Sequence, residues 1–331
     1  MKRPALLLLT QREIARLVDM RMAIRSAREA FIAMARGQTV MPPKLYLPLP
    51  GGDDFRAMPA FLRRPAACGV KWVNVHLNNH RLGLPTVMAV IVLNDPATGV
   101  PLAVMDGLLI TKLRTAAASA VAAKALARPE SRVVGLIGCG AQADAQVEAL
   151  AELFRLSRVK VWGHLPSEAS RFCRRMRRAL PRMIFEPCAE IERCVRGSDL
   201  IVTLTPSRRP LVKRAWVAPG THVNAIGADA PGKQELDPRI LHDALVVVDD
   251  RAQAIHGGEL NVPVRCGQYR ARQIHATLGE ILLGRRRGRR SSQEITVFDS
   301  TGLATHDVAL ASAIARRARL HHLGRTVSFF A

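Results

Sequence analysis

Four stretches of the chain carry residue types and spacings that could do chemistry. The first is Val134-Gly-Leu-Ile-Gly138-Cys-Gly140-Ala-Gln-Ala143, an apolar run followed by a glycine turn and helix-forming residues. Gly138 permits the tight turn, and Gly140 lets the main chain approach a pyrophosphate at a helix N-terminus. Ala143 takes the place of the third glycine of the dinucleotide fingerprint and still permits close helix–strand packing. The second stretch, Asn224-Ala-Ile-Gly227-Ala-Asp229-Ala-Pro-Gly-Lys233-Gln-Glu235-Leu-Asp237, follows an apolar run and so falls at the carboxyl edge of a sheet, where open α/β folds bind ligands. Asp229 there is either a general base, given a raised pKa and a proton within reach, or an ordinary solvated turn residue. The third, Gly69-Val-Lys71-Trp-Val-Asn74, puts a lysine inside an apolar run, where it must snorkel, pair or change its pKa. The fourth, Leu113-Arg114-Thr115, places an arginine at the opening of an alanine-rich helix, suited to a phosphate or carboxylate or to an internal ion pair.

The elements that must position these residues follow from periodicity. Thr10-Gln-Arg-Glu13 is a capping box, Asp19 recaps the chain for a second helix, and Gly37 ends it. Ala5 to Leu9 is too short and too quickly followed by Arg12 and Glu13 for a secretory signal, and predicts a buried strand. From Met41 to Pro101 short strand-like runs alternate with Pro, Gly and Asn, which predicts a mixed sheet with one or two helices. Thr111 to Ala127 predicts a strong helix. Beyond Pro129 strands at 133–137, 158–162, 183–185, 200–204, 222–226 and 245–248 alternate with helices at 141–154 and 167–180. That rhythm is the mark of a Rossmann-type doubly wound parallel sheet. The division expected is a substrate-binding and dimerisation domain of α+β type from 1–128 together with 302–331, and a dinucleotide domain from 129–301.

Composition narrows the class further. The 331 residues are 48% apolar and 23% charged, which excludes a disordered tail, a collagen or a disulfide-stapled miniprotein. No run approaches the ~20 apolar residues of a membrane span. Six cysteines at irregular spacing, without a C-x-x-C pair, point to a reduced, cytoplasmic setting and to no structural zinc. The net charge of +22 is carried almost entirely by arginine, since only eight of the 49 basic residues are lysine. With 4% aromatic residues and no nucleic-acid motif, the arginines read as solvated helix faces and one exposed turn, and nucleic acid is not an expected partner. The dinucleotide fold usually has an acid at the end of its second strand, ~20 residues past the glycines, to take the ribose 2′-OH. Here Val159-Lys-Val-Trp162 runs into Gly163-His164, with Arg171 nearby, so NAD and NADP both stay open.

Together these motifs resemble the ornithine cyclodeaminase/μ-crystallin family, most of all its archaeal-type alanine dehydrogenase branch. The likeness runs from Leu9-Thr10-Gln11 through Met41-Pro-Pro-Lys44, Arg56-Ala-Met-Pro59, Pro85-Thr-Val-Met88, Thr205-Pro-Ser207, His256-Gly-Gly-Glu259 and Phe298-Asp-Ser-Thr-Gly302 to Ser328-Phe-Phe330. The resemblance implies a homodimer with Lys71 and Asp229 as catalytic residues. Lys44, Arg56, Lys71 and Thr301 would hold the substrate. Thr86, Arg114, Thr115, Gly138, Gly140, Ala141, Gln142, Thr205, Asn224, Ala225, Ile226, Lys233 and Ser300 would line the cofactor, NAD or NADP. Two departures matter: Gly163 stands where NAD-using members have aspartate, and Arg56 stands where cyclodeaminases have glutamate.

The activity so implied is reversible oxidative deamination of L-alanine to pyruvate and ammonia, with hydride leaving Cα for the nicotinamide. The competing expectations are an ornithine cyclodeaminase, a reductase of cyclic imines such as Δ1-pyrroline-2-carboxylate, and a non-catalytic crystallin-like nucleotide binder. Net cofactor turnover separates the dehydrogenase from the cyclodeaminase, and an ammonia requirement separates it from the imine reductase.

Overall fold

The capping residues set the first elements as their chemistry requires. Thr10 Oγ1 accepts from the Glu13 N–H at 3.4 Å, a Glu13 carboxylate oxygen accepts from the Thr10 N–H at 2.8 Å, and Asp19 accepts from the Met22 N–H at 2.7 Å. They delimit β1 (Ala5–Leu9), α1 (Gln11–Leu17) and α2 (Met20–Ala35) in a computed structural model that describes residues 5–76 and 78–328. Phe329 and Phe330, at the end of the family resemblance, lie outside the described residues. The chain divides into two compact units, Met1–Arg114 with Leu303–Ala331, and Thr115–Gly302.

The first unit is an α+β layer. Its strands continue with β2 (Thr39–Val40), β3 (Leu45–Pro48), β4 (Asp54–Arg63), β5 (Ala66–Val75), β6 (Val87–Asn94) and β7 (Pro101–Asp106). The sheet runs from the closing strand Arg325–Ser328 through β1, β7, β6, β5 and β4, with β2 and β3 both on the outer edge of β4. One or two helices were expected between Met41 and Pro101, but the described residues there form no α-helix, only the 3₁₀ turns Pro50–Gly52 and Asn79–Leu82. The Pro, Gly and Asn clusters punctuate antiparallel strands and leave no stretch long enough for a helix. The C-terminal helix Ala304–Leu320 packs across β4, β5 and β6, and α2 packs on that helix. The side chains of β4 and β5 alternate, with Asn74 at the end of β5 buried as well, so Arg56, Lys71 and Val73 turn toward the covered face while Trp72 turns away.

Helix α3 (Leu108–Leu126) starts three residues before the expected Thr111, because the Asp106 carboxylate accepts from the N–H groups of Leu108 and Leu109. Arg114 therefore sits one turn inside the helix rather than at its opening. The boundary between the units falls within α3, between Arg114 and Thr115.

The second unit is the doubly wound sheet that the alternation predicts. Its strands are β8 (Val133–Ile137), β9 (Arg158–Trp162), β10 (Ile184–Pro187), β11 (Leu200–Thr203), β12 (His222–Ala225), β13 (Ala244–Val248), β14 (Ala276–Thr277) and β15 (Ile295–Asp299). They lie in the order β10-β9-β8-β11-β12-β15-β13-β14, all parallel. The chain winds outward from β8 to β10, then restarts beside β8 with β11, so a topological switch lies between the carboxyl ends of β8 and β11. Helices α4 (Ala143–Ala151) and α5 (Pro166–Ala179) follow β8 and β9, burying Val147, Leu150, Phe172 and Met176 against Val134, Leu136 and Val159. A second cluster built on Val223, Ile240 and Val297 belongs to the same unit.

The arginine-rich turn Arg285–Arg290 is exposed as expected except at Arg289. The Arg289 guanidinium donates to the Leu126 carbonyl at 2.7 Å, to the Glu294 carbonyl, and to Thr296 Oγ1 at 3.2 Å, clamping three segments of the unit. Buried acceptors left without donors cost about 1–3 kcal/mol each. Arg289→Ala is therefore expected to lower stability by about 2–3 kcal/mol in a urea titration, while Arg287→Ala on the same turn changes it by less than about 0.5 kcal/mol.

Candidate functional site

Lys71 is 1% exposed in the middle of β5. Its register partners Met58 and Ile91 leave no water on that face, so the ammonium must find a counter-charge within the fold. Asp307, in the first turn of the C-terminal helix, supplies it: Asp307 Oδ2 lies 2.8 Å from Lys71 Nζ, and Asp307 Oδ1 accepts from Arg114 Nε at 2.9 Å. Three elements thus meet at one carboxylate that is fully buried. Burial, then the Arg114 guanidinium, push the Lys71 pKa down to about 7 against the opposing pull of Asp307, with Lys44 adding a smaller downward push. The two cations hold the Asp307 carboxyl below its ordinary value in spite of burial. His306 beside it packs edge-on against Phe31 at 4.4 Å between ring centres, and burial takes its pKa down to about 3, so it is neutral. Arg114 closes an internal ion pair, one of the two roles its sequence position left open.

The other first-unit candidates surround this theme with more positive charge. Arg56 is buried on β4, its Nε and Nη2 gripped by the two Asp54 oxygens at 2.8 and 2.9 Å, with its guanidinium carbon 5.1 Å from the centre of the Tyr46 ring. Lys44 precedes β3 and is half-buried. Thr86 precedes β6, and its carbonyl accepts from the His76 N–H at 2.8 Å.

In the second unit, the turn Gly138-Cys-Gly140 stands at the end of β8. Gly138 has φ of +103°, and a side chain there would press on the Leu204 main chain at 3.1 Å. At Gly140 a Cβ would meet nothing within 4 Å, which leaves an open approach to the main chain. A cavity of about 700 Å³ opens here at the topological switch, walled by Gly138, Gly140, Trp162, Arg171, Leu204 and Thr205 among others. The helix expected from Ala141 begins two residues later, so Ala141 and Gln142 form the turn above α4, and buried Gln142 Oε1 has no hydrogen-bond partner.

The Thr205 loop is held by a carboxylate to which the sequence reading gave no role. Glu235 Oε1 accepts from both the N–H and the hydroxyl of Thr205 at 2.7 Å, and Oε2 accepts from the Gly227 N–H at 2.9 Å. The Glu235 N–H in turn donates to Glu259 at 3.0 Å, and the Glu259 N–H donates to Asp299 at 3.0 Å. Burial raises the pKa of Glu235, and burial plus the Glu235 charge raise that of Glu259 well above the carboxylate range. Asp229, on the loop so anchored, is partly exposed and lies 2.5 Å from Lys233 Nζ.

The remaining candidates have defined places. Asn224 and Ala225 are within β12, and Ile226 follows it; Asn224 donates to the Ser119 carbonyl and meets His222 Nε2 at 3.1 Å. Thr115 is buried on α3. Ser300 donates its N–H to the Ala225 carbonyl, and the Thr301 N–H and hydroxyl donate to Asp249 at 2.7 and 3.0 Å. Lys71 and Asp229 belong to different units, and each has an ion-pair partner of its own. Sequence reading missed Asp307 and Asp249 and gave Glu235 and Glu259 no role; for Asp307 the available signal was an aspartate on the apolar stripe Ala304, Val308, Ala311 of a helix.

A glycine turn at the switch of a doubly wound sheet, an open approach to its main chain and an orphaned amide oxygen above a nine-residue helix fit a dinucleotide. Among the described residues no cluster of His, Cys, Asp and Glu could hold a metal ion, and no helix is long and apolar enough to cross a membrane. The fold and site therefore define a dinucleotide-binding α/β protein with a buried cationic cluster in its first, α+β unit. The chain belongs to the ornithine cyclodeaminase/mu-crystallin family, whose model matches residues 5–321. It is 49% identical over 324 residues to the alanine dehydrogenase of Archaeoglobus fulgidus, covering 98% of each chain. An archaeal alanine dehydrogenase solved as a dimer with bound NAD superposes with a TM-score of 0.94 at 48% identity, over 98% of this chain and all of that one. The Δ1-pyrroline-2-carboxylate reductase of Thermococcus litoralis, solved with NADH and L-proline, has a TM-score of 0.94 at 34% identity, over 97% of this chain and all of that one.

Removing the shared carboxylate tests the cluster. Asp307→Asn leaves two buried cations without a counter-charge and is expected to cost about 3–5 kcal/mol in a denaturant titration. A lysine whose pKa is depressed on folding costs stability as pH falls from its unfolded value, and the cost is complete below the folded one. Without Asp307 that value drops further, so the deficit is expected to deepen below about pH 7. A deficit independent of pH would show that Asp307 does not set the charge state of Lys71.

Proposed function

We propose that the chain is an amino-acid oxidoreductase using NAD or NADP, acting as an alanine dehydrogenase that interconverts L-alanine with pyruvate and ammonia. The observation that carries this reading is the Lys71–Asp307–Arg114 cluster, which sets two buried cations against one carboxylate and keeps the lysine near neutrality. A surplus positive charge without bulk water is suited to a substrate carboxylate, and a lysine with its pKa near 7 can give or take a proton at physiological pH. The family membership and the similarity to alanine dehydrogenases support it.

In this reading Arg56, steadied by Asp54 and the Tyr46 ring, and Lys44 hold the substrate carboxylate. The dinucleotide, when bound, supplies the hydride acceptor. The Gly138–Gly140 turn would hold its pyrophosphate, with Ala141, Gln142 and Thr205 as further residues of that site. Arg114, Thr115, Thr86, Lys233, Ser300 and the end of β12 at Asn224, Ala225 and Ile226 complete the residues we assign to it, and Thr301 to the substrate. Asp229 takes the proton of the substrate amine as Cα is oxidised, and Lys71, or Asp229 once it has released that proton to solvent, takes a proton from the water that adds to the resulting imine. Rates of proton transfer by such groups account for about 10²–10⁴-fold.

The test is absorbance at the reduced-nicotinamide band with L-alanine and NAD or NADP in turn. Reduced cofactor is expected to accumulate, and Asp229→Ala to slow this by about 10²–10⁴-fold. Conversion of L-ornithine to proline and ammonia at constant absorbance would replace the reading with a cyclodeaminase. Turnover of a cyclic imine without ammonia, as the similarity to the Thermococcus litoralis enzyme would favour, would replace it with an imine reductase.

The assembly we infer is a homodimer in the cytoplasm. All six cysteines are free, in keeping with a reducing compartment. The sheet face of the first unit opposite the C-terminal helix exposes Val40, Leu45, Leu47, Trp72 and Val90, and the register aligns Leu45, Ala57, Trp72 and Val90 in one row. Such a contiguous apolar face is a docking surface, and the archaeal relative is solved as a dimer. Trp72→Arg is expected to shift the species seen by analytical ultracentrifugation from dimer to monomer.

A further inference from the structure

The end of β9 lacks the acid that would recognise a free ribose, and the structure shows what stands in its place. The strand runs from Trp162 into Gly163, and a Cβ on Gly163 would lie 2.7 Å from Cys139 Sγ and 3.3 Å from the Ala169 main-chain nitrogen. The thiol of the glycine turn and the second turn of α5 therefore fill the space that the stem of an aspartate would need. Gly163 and Cys139 are mutually dependent: a carboxylate can enter at 163 only if the thiol at 139 moves.

The wall beyond this point is basic. His164, Arg171 and Arg175 line the cavity, and Glu168 is the one acid among its lining residues. Glu168 is turned back to the start of α5, where its Oε2 accepts from the Leu165 N–H at 3.2 Å. Arg175 reaches Asp144 only at 3.9 Å and lies over the Phe172 ring. Among the described residues Arg171 has no ion-pair partner, although it faces the same cavity. Two guanidinium groups and an imidazole thus line the cavity where the adenosine ribose of a dinucleotide lies in this fold, and the one carboxylate there is engaged through Oε2 with the Leu165 N–H.

We propose that this cavity is built for a 2′-phosphorylated dinucleotide, NADP, in preference to NAD, with Arg171 as the principal phosphate ligand and Arg175 and His164 beside it. The proposal rests on the dinucleotide reading of the site. A phosphate dianion gains charge-assisted, bidentate bonds from arginine that a hydroxyl cannot make, while the hydroxyl of NAD loses the acceptor that other dinucleotide folds provide. The Gly163–Cys139 contact keeps that preference from reverting by a single substitution.

Binding alone decides it. Titration calorimetry of the full chain with NADP, NAD, adenosine 2′,5′-bisphosphate and ADP separates the phosphate from the rest of the cofactor. The expected result is binding of NADP about tenfold or more tighter than NAD, with the bisphosphate likewise tighter than ADP. Arg171→Ala should erase most of the difference, and G163D combined with C139G should reverse it, whereas G163D alone should weaken both cofactors. Equal or tighter binding of NAD by the unaltered protein, or a preference unchanged in Arg171→Ala, would overturn the proposal and leave the dinucleotide reading standing. Binding of neither cofactor would overturn both.

Discussion

Two cations buried beside each other would unfold the first unit if nothing neutralised them, and a single carboxylate, Asp307, stands between Lys71 and Arg114. The cost of removing ions from water is several kcal/mol each, so the placement of the C-terminal helix on the sheet is dictated as much by this carboxylate as by its apolar stripe. The arrangement is deliberately incomplete: one negative charge faces two positive ones, with Lys44 adding to the imbalance. An apolar isostere of the three would pack as well and do nothing. What the fold retains is a buried cluster with a surplus of positive charge, the feature on which the proposed binding of a substrate carboxylate rests.

The second unit solves a different problem with the same means. A loop at the carboxyl end of a sheet has no ladder to hold it, and here Glu235 replaces the ladder by accepting from Thr205 and Gly227 at once. Gly227 must be glycine for this, because a Cβ would lie 2.4 Å from the Glu235 oxygen. The rigidity of the loop that carries Asp229 is therefore inherited from residues deeper in the unit rather than from its own turn geometry.

How much of this could be read from the sequence depended on range. The glycine turn, the Thr10 and Asp19 caps and the strand–helix rhythm are local signals, and the elements formed within a few residues of where those signals placed them. Helix α3 began early because Asp106, whose role requires the strand before it, caps it. Lys71 stood out as a lysine in an apolar strand, yet its partner lies 236 positions away, so neither spacing nor composition could name Asp307. Glu235 and Glu259 are 24 positions apart and meet through a main-chain N–H, a contact that leaves no trace in residue type. The helices expected between Met41 and Pro101 failed because proline and glycine mark boundaries without saying whether strands or helices lie between them.

The stacked carboxylates beneath the Thr205 loop also make this unit a proton sink. Glu235 and Glu259 have pKa values raised by folding, so the chain takes up protons as it folds and holds them while the pH stays below those raised values. The stability they confer is complete below the ordinary glutamate range and is withdrawn as pH climbs through the folded values. A rise in pH through those values thus acts on the floor of the Asp229 loop, charging Glu259 against Glu235 and Asp299 in a place water does not reach.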